Sequence, residues 1–403
     1  MKQKINPTMI KYRILIICAF AALLHANARA QQPGIDGILA EIEANNPELR
    51  ALEAETEAQA AGNLAESAMA GPEIEFAYLF GPEEIGARHD FAVNQSFDCA
   101  ALSGRRKSEA RQKNDLLALQ LRTARKEILT SARKLICEII ARNMLISEYT
   151  LRTERAAVVE ELYKKGVESG EFSISDYRKA AVDLTEAEGN LELMEAERRS
   201  LLAELTMLNG GKEVDIQEAS FGLQPLPETF EEWFGQAGED NSTMAYARAA
   251  TSLNETQLKL SRAERLPSFS VGYMAELIPG EEFRGVKLGV SIPLWSSGKR
   301  TAEARKRLEA ARISESMTAS RFRIKAESLY DNAVRLRKAA DKYNALADLN
   351  DCRADLEKAL ASGGISLLEY IGELSFFYDT IELAIDTEKR YNLAVADLAA
   401  MEM

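Results

Sequence analysis

The chain has 403 residues, of which 63 are Asp or Glu and 50 are Lys or Arg. The first 30 residues hold five of the basic side chains and no acidic one, which leaves 45 basic against 63 acidic side chains in the remainder. This net charge of about −18 repels phosphate backbones and argues against nucleic-acid binding, and 46% hydrophobic residues exclude intrinsic disorder. Only two histidines occur, His25 and His89, so most zinc, haem and Ser-His-Asp chemistry is excluded as well.

Residues 1–30 have the layout of a secretory signal peptide. Basic residues precede an apolar stretch from Ile14 to Leu24, and Ala28-Arg29-Ala30 is a small-x-small cleavage site. We expect the mature chain to begin near Gln31.

The cysteines of the mature chain indicate neither a disulfide framework nor a metal site. They are Cys99, Cys137 and Cys352. Their number is odd and they form no CxxC pair, so buried, unpaired thiols are expected.

A set of landmarks recurs at an offset of 193 to 195 residues. The matching pairs are Ile35 and Phe230, Ile38 and Trp233, Pro72 and Pro267, Gly104 and Gly298, and Gly170 and Gly363. Self-similarity at a fixed offset indicates internal duplication. We therefore predict a first structural repeat over 31–209, a linker over 210–228 that is rich in turn residues, and a second repeat over 229–403.

Each repeat contains one very long predicted helix. Residues 105–165 and 299–362 contain neither Gly nor Pro, and helices of that length would measure about 90 to 95 Å. Glycine turns then reverse the chain into returning helices of about 38 residues. The returning helices are shorter than the long ones, and the difference matches the length of the helices predicted near 35–66 and 229–265. A returning helix stacked end to end on one of these short helices would equal one long helix.

Two segments of period-2 alternation lie between each short helix and each long helix. In the last of the four, Val286, Leu288 and Val290 alternate with Lys287 and Gly289. Each segment has about 8 to 10 residues, the span of a tilted membrane strand. Short turn-rich connections join the segments into two hairpins.

These strands could also form a soluble sheet with one face packed on the helices. Two features favour a membrane sheet instead. The second face is rich in Gly, Ala and Ser, as the lumen of a barrel would be, and rods of about 90 Å offer no compact body for a sheet to cover. Because an open sheet edge in lipid leaves backbone groups unpaired, four strands need further copies of the chain to close a barrel.

The chain resembles the TolC-type outer-membrane efflux family across essentially its whole mature length. The most specific match is the strand end from Ser291 to Arg300, where Pro, an apolar residue and an aromatic residue precede Gly and a basic residue. Further family landmarks are matched by residues 45–49, 170–176, 262–267 and 363–369, and the first-half counterpart of the strand end, 95–97 with 103–106, is a looser match.

The resemblance implies an α+β fold of mainly long α-helices. Four membrane β-strands per chain would complete a 12-stranded barrel in a homotrimer, continued by a helical tunnel into the periplasm. The implied function is the outer-membrane channel of a tripartite efflux pump or type I secretion system, with a periplasmic adaptor and an inner-membrane pump as partners. Neither enzymatic activity nor a cofactor is implied, and metal ions, drugs, detergents and polypeptides all fit as cargo.

The same resemblance implies a periplasmic gate at the two glycine turns. Asp176 and Glu369 each follow a turn glycine by six residues, and Glu373 is the nearest match to a second family carboxylate. Three copies of Glu369 around one axis would attract cations and raise the pKa of each carboxyl by mutual repulsion. The adaptor would dock on the tip residues Ser169, Gly170, Glu171, Ser362, Gly363 and Gly364.

The family's Tyr and Arg that hold the tip shut fall here on Leu360 and Ile365. We therefore expect Asp176, with Arg178 or Lys179, to supply links between chains. Asp176 and Glu369 also fit a simpler interpretation, in which they are solvated acids in the first turn of a helix.

A periplasmic adaptor of the same pumps is the alternative function, because adaptors are also rich in helical hairpins. An adaptor has one hairpin between lipoyl-like halves and no membrane strands, which disagrees with the predicted duplication. An enzyme is disfavoured, since no carboxylate pair stands out in an apolar setting.

The two tryptophans and the histidine of the mature chain have separate predicted places. Trp295, at a strand end, is predicted to anchor the barrel at the membrane interface, with simple packing as the alternative. Trp233 is predicted to lie in the core. His89 lies near a predicted external loop, and without a second imidazole it is not expected to bind a metal.

Overall fold

The computed structural model describes residues 34–402 except 84–85, 98–99, 223–224, 294–296 and 350–352. The predicted signal peptide, Cys99, Cys352 and the predicted anchor Trp295 lie outside the described residues. Among the helices that are described, none is both long and apolar enough to cross a membrane.

The described residues of the first half form four helices and two strands. They are α1 (Ile35–Asn45), α2 (Pro47–Glu66), β1 (Glu73–Leu79), β2 (Arg88–Phe97), α3 (Ala100–Ser169) and α4 (Ile174–Leu208). α3 has 70 residues, a length of about 105 Å, which confirms the first predicted rod. α4 has 35 residues and packs back along α3.

The second half follows the same order of elements. It contains α5 (Phe230–Asp240), α6 (Ser242–Ala263), β3 (Ser268–Ile278), β4 (Glu281–Ser291), α7 (Ser297–Leu349), α8 (Arg353–Ala361) and α9 (Leu367–Glu402). The long helix predicted over 299–362 is described as α7 and α8, and the residues between them lie outside the described part of the chain.

The four strands form one antiparallel sheet in the order β1-β2-β3-β4. β1 pairs with β2 and β3 pairs with β4, which confirms the two predicted hairpins. The two halves of the chain meet in the central pair, where Phe97 of β2 lies opposite Phe269 of β3. β1 and β4 are consequently the edges of this sheet.

The apolar face of the sheet is its more exposed face. Phe269, Val271 and Tyr273 of β3 are 44% to 52% exposed, and Val286 of β4 is 75% exposed. Gly272, which faces the opposite way on β3, is buried. A sheet folded for water turns its apolar face toward a core, so this sheet is inverted relative to a soluble one.

Two buried asparagines join the short helices to the returning helices. The Asn46 side-chain oxygen accepts a hydrogen bond from the Leu49 N–H at 2.9 Å, capping α2, and its Nδ2 donates to the Leu208 carbonyl at the end of α4 at 2.9 Å. Asn241 caps α6 in the same way, and its Nδ2 donates to the Met401 carbonyl of α9 at 2.9 Å. The starts of α2 and α6 thus meet the ends of α4 and α9, as the predicted stacking requires. The helices predicted near 35–66 and 229–265 are, however, each divided in two, at Asn46 and Asn241, and only the second part of each reaches the junction.

The remaining short helices pack on the sides of the long ones beside these junctions. α1 buries Ile42 against Ile136 of α3. α5 buries Trp233, which is 4% exposed, against Tyr330 of α7 with ring centroids 6.1 Å apart. The prediction that Trp233 belongs to the core is therefore confirmed.

The predicted linker over 210–228 contains neither helix nor strand in its described residues. It is nevertheless held against the first half of the chain. Ile216 is fully buried, and the Asn143 Nδ2 donates to the carbonyls of Ile216 and Glu218 at 2.9 Å each. The described part of this segment is therefore bound to the side of α3 and is not a flexible linker.

Candidate functional site

The two predicted tips are tight glycine turns. α3 ends at Ser169, Gly170 has a φ of +80°, and the Glu171 N–H donates to the Gly166 carbonyl at 2.8 Å. The second tip repeats this geometry, with Gly363 at a φ of +71°. Both turns use the left-handed backbone that ends many helices and that glycine adopts without a Cβ clash.

The residues predicted to dock an adaptor are exposed in this chain. They are Ser169, Gly170, Glu171, Ser362, Gly363 and Gly364. Both turns lie at one end of the helical body, because residues of both hairpins pack together just beside them. One chain therefore offers a partner two exposed turns on a single surface.

The predicted gate carboxylates Asp176 and Glu369 each lie in the first turn of the helix that follows their glycine turn, next to the serine that caps it. Asp176 accepts hydrogen bonds from the Ser173 hydroxyl at 2.6 Å and from the Lys179 Nζ at 3.0 Å. The Ser366 N–H donates to a Glu369 carboxylate oxygen at 2.8 Å, and the Glu369 N–H donates to the Ser366 hydroxyl at 3.2 Å. This reciprocal pair is a capping box.

These hydrogen bonds lower the pKa of both carboxyls within a single chain. For Asp176 the causes are the hydrogen bonds from Ser173 and then Lys179, and for Glu369 the backbone N–H of Ser366 is the largest cause. The direction is opposite to the rise expected from repulsion between chains. The capping interpretation was open at the sequence level, but its effect on the pKa depends on hydrogen bonds that only the structure shows.

The two basic residues predicted to link chains differ in whether they already have a partner within their own chain. Lys179 binds Asp176 of its own chain three residues away, whereas Arg178 is exposed. Glu373, the second predicted gate carboxylate, is also exposed, one turn beyond Glu369 on α9.

An apolar cluster holds the two hairpins together beside their tips. Tyr370 of α9 is 2% exposed and belongs to one buried cluster with Tyr163 of α3 and Leu367 of α9. Leu360 and Ile365, which stand where the resemblance would place a Tyr and an Arg, pack against this same cluster. Both side chains therefore make apolar contacts within one chain.

A second contact between the hairpins lies further from the tips. We call it the Arg152 cluster, and it comprises Glu148, Tyr149 and Arg152 of α3 with Tyr378 and Glu382 of α9. Arg152 is 8% exposed, and its Nη1 donates to Glu382 at 2.6 Å. Its guanidinium carbon lies 4.0 Å from the centroid of the Tyr378 ring, a cation–π distance.

Tyr149 completes this cluster as a neutral donor. Its hydroxyl donates to Glu382 at 2.8 Å. Burial, followed by the hydrogen bond to Glu382, raises the pKa of Tyr149 to about 12. The phenol therefore keeps its proton throughout the neutral pH range.

The sequence contains only a weak signal for the Arg152 cluster. Glu148 and Arg152 are four residues apart, as are Tyr378 and Glu382, and this spacing places each pair on one face of its helix. This spacing does not indicate which faces of the two long helices meet, so the sequence does not predict the cluster.

The described residues offer no evident metal chemistry. Within them, no group of three or more His, Cys, Asp and Glu side chains is placed to hold a metal ion. Cys137 is buried, and burial raises the pKa of its thiol to about 11. His89 lies opposite Tyr78 in the sheet, with ring centroids 4.8 Å apart.

Comparison with known proteins gives matches at the level of structure. No family model matches the sequence, and no match is found among curated proteins. A membrane protein from Pseudomonas aeruginosa superposes with a TM-score of 0.75 at 15% identity, covering 92% of this chain and 93% of that one. The outer membrane protein VceC of Vibrio cholerae gives 0.73 at 13% identity, covering 93% and 97%. The open state of the MtrE outer membrane channel of Neisseria gonorrhoeae gives 0.73 at 14% identity, covering 92% and 89%.

The chain has the fold of outer-membrane channels. This confirms the fold predicted from the resemblance, in which long helices form a tunnel and the strands complete a barrel. α3 begins just after β2 and ends at the first glycine turn, so the glycine tips lie at the end of the helical body opposite the sheet.

Proposed function

We propose that this chain is the outer-membrane channel component of a tripartite efflux pump or a type I secretion system, acting as a passive exit duct. The main support for this proposal is the sheet, whose apolar face is the exposed one. The chain also shares its fold with outer-membrane channels over more than nine-tenths of its length. Phe76 is 69% and Leu288 77% exposed, which suits lipid better than water. The protein would reside in the outer membrane, with its long helices in the periplasm.

The channel would be a homotrimer. One chain supplies four strands with β1 and β4 as edges, and open edges do not occur in lipid because their backbone groups stay unpaired. Membrane barrels of this kind have at least about eight strands, so copies must share one barrel. Three copies give the 12 strands that the family resemblance implies.

Chemical crosslinking tests this assembly. Protein extracted from the outer membrane in mild detergent should give a crosslinked species of three chains. A stable, monodisperse monomer that is inserted in the outer membrane would contradict both the trimer and the shared barrel.

The duct would open when a periplasmic adaptor docks on the exposed turns and the tips separate. Within one chain, the apolar cluster around Tyr370 and the Arg152 cluster both join the α3–α4 hairpin to α9. Opening must therefore shift or break these contacts. The inner-membrane pump, rather than the duct, would select the cargo.

The alternative function, a periplasmic adaptor, is less well supported. The chain has two helical hairpins and a sheet with an exposed apolar face, whereas an adaptor is expected to have one hairpin and no membrane strands. Fractionation separates the two functions. A channel should remain in outer membranes washed with high salt and carbonate, and release by that wash would favour the adaptor.

A further inference from the structure

A cavity of about 750 Å³ lies far from the tips, between α3, α7 and the junction of α6 with α9. Its walls include Lys126 and Thr130 of α3, Arg321 and Lys325 of α7, Thr243 of α6 and Met401 of α9. The volume is in the range of sites that hold small organic molecules.

Three cationic side chains converge on this cavity without an ion-pair partner. Within the described residues, Lys126, Arg321 and Lys325 form no salt bridge. Two basic neighbours do, since Arg125 pairs with Glu43 and Arg323 pairs with Glu231. Arg321 and Lys325 are exposed, so the cavity is open to solvent beside them.

Two of these cations, Lys126 and Lys325, repel each other. Lys126 is half-buried, and its pKa is lowered first by burial and then by the positive charges of Arg122 and Lys325. Two carboxylates also line the cavity, Glu127 and Asp397, and Asp397 already binds Lys134 at 2.6 Å. Only Glu127 is therefore left to offset the positive charges that line the cavity. A negatively charged ligand would reduce the repulsion between them.

The rest of the lining divides into a polar and an apolar part. Hydroxyl groups come from Ser131, Thr243 and Thr318, and an apolar wall comes from Phe322, Leu329 and Met401. Phe322 and Met401 are themselves buried. A simple inorganic anion would leave this wall unused.

We propose that this cavity binds a small organic anion with an apolar ring system and one sulfonate, phosphate or carboxylate group. The anionic group would lie among Lys126, Arg321 and Lys325, and the ring system against the apolar wall. All of these side chains belong to one chain, so the site does not depend on the proposed channel function.

Binding of naphthalene-2-sulfonate to the full chain in non-ionic detergent tests the proposal. Calorimetry with the empty-micelle signal subtracted should show binding about tenfold or more tighter than for 2-naphthalenemethanol, which lacks the charge, and for inorganic sulfate, which lacks the ring. Comparable affinities for the sulfonate and the alcohol would overturn the proposal without any variant being made.

A double variant locates the site. Lys126→Gln with Lys325→Gln should weaken sulfonate binding at least about tenfold, whereas Lys338→Gln with Lys342→Gln, exposed lysines on the same α7, should leave it unchanged. Because the first pair removes mutually repelling charges, its ligand-free melting temperature should not fall below that of the wild type. Full sulfonate affinity in the Lys126 and Lys325 double variant would refute this placement.

Discussion

At the scale of single residues, the observed cap and the proposed gate would move the pKa of Glu369 in opposite directions. The capping box with Ser366 lowers the pKa within one chain. A ring of three copies around the proposed tunnel axis would raise it by repulsion. The hydrogen bonds are direct, whereas repulsion across an aqueous axis is screened over about 8 to 10 Å, so we expect the cap to dominate.

The role of Glu369 in the gate can be tested without damaging the tip. Gln also fits the capping box, so Glu369→Gln should fold and insert while removing the charge. In planar bilayers, a trivalent cation added on the periplasmic side should block the wild-type channel, and the variant should lose most of that block. The matched control is Glu188→Gln, an exposed acid on α4 about 18 Å along the helix from Asp176. Equal block of Glu369→Gln and wild type would return Glu369 to the simpler role of a solvated cap.

The pH dependence of the same block decides between cap and repulsion. A carboxyl whose pKa is lowered by folding stays charged, and keeps its stabilising contribution, above the unfolded value of about 4.3. Both are lost as the pH falls through the lowered pKa of the folded protein. We therefore expect the pH at which the cation block has fallen to half to lie below about 4.3. If this half-block pH lies above about 4.3 instead, repulsion within the ring outweighs the cap.

Cys137 gives a residue-level test of the thiol prediction. With a pKa of about 11, about one thousandth of this thiol is ionised at pH 8, and it is 8% exposed. Iodoacetamide should therefore leave Cys137 unlabelled in the native protein. Under denaturing, non-reducing conditions Cys99, Cys137 and Cys352 should all be labelled, and fewer than three labels would reveal a disulfide.

At the scale of elements, the Arg152 cluster links α3 to α9. Arg152→Met should destabilise the chain by roughly 2 kcal/mol, below the 3 to 5 kcal/mol of a fully buried pair because Glu382 is partly exposed. The double variant with Glu382→Met should recover much of this loss in the free energy of unfolding. Conductance should rise in Arg152→Met, since one contact that holds the hairpins together is gone.

An exposed pair provides the control for the Arg152 cluster. Arg312→Met removes the exposed salt bridge to Glu255 and should change stability by less than about 1 kcal/mol. If the effects of Arg152→Met and Glu382→Met were simply additive, the proposed coupling between the hairpins would be absent.

The stacked junctions predict a graded mutational series at Asn46. Asn46→Ala removes the cap and leaves the Leu208 carbonyl buried without its donor, a loss of roughly 2 to 3 kcal/mol. Asn46→Ser keeps a cap without a buried charge but is too short to reach the Leu208 carbonyl, so its stability should fall between Ala and the wild type. Denaturant melts of the detergent-solubilised protein measure the order. Should Ser prove as damaging as Ala, the cap at this junction contributes little.

The lengths and order of the elements could be predicted from sequence because they follow from local signals. Absence of Gly and Pro predicts the rod that is now α3, and alternation predicts β1 to β4. The partners of Asn46 and Arg152 could not be predicted. Their hydrogen bonds join residues that are 162 and 230 positions apart, and no local pattern encodes which helix faces meet.

At the scale of the whole molecule, the candidate site was predictable in position but not in chemistry. The glycine turns and the acids six residues later lie where the sequence placed them, at exposed tips. The hydrogen bonds that Ser173 and Lys179 donate to Asp176, which lower the pKa of its carboxyl, depend on the geometry of the folded turn. The cavity beside Lys126 left no sequence signal, because its three cations come from helices that meet only in the folded chain.

The central strand pairing also determines when the sheet can form. Phe97 pairs with Phe269, 172 residues later in the chain, and contacts between such distant positions form slowly because a long loop must close first. During synthesis, the β1–β2 hairpin is complete long before β3 emerges. The apolar face of the first hairpin therefore stays uncovered while α3 to α6 are synthesised. If the sheet inserts into the outer membrane as proposed, the unfinished hairpin needs protection until β4 ends at Ser291, nearly three-quarters of the way along the polypeptide.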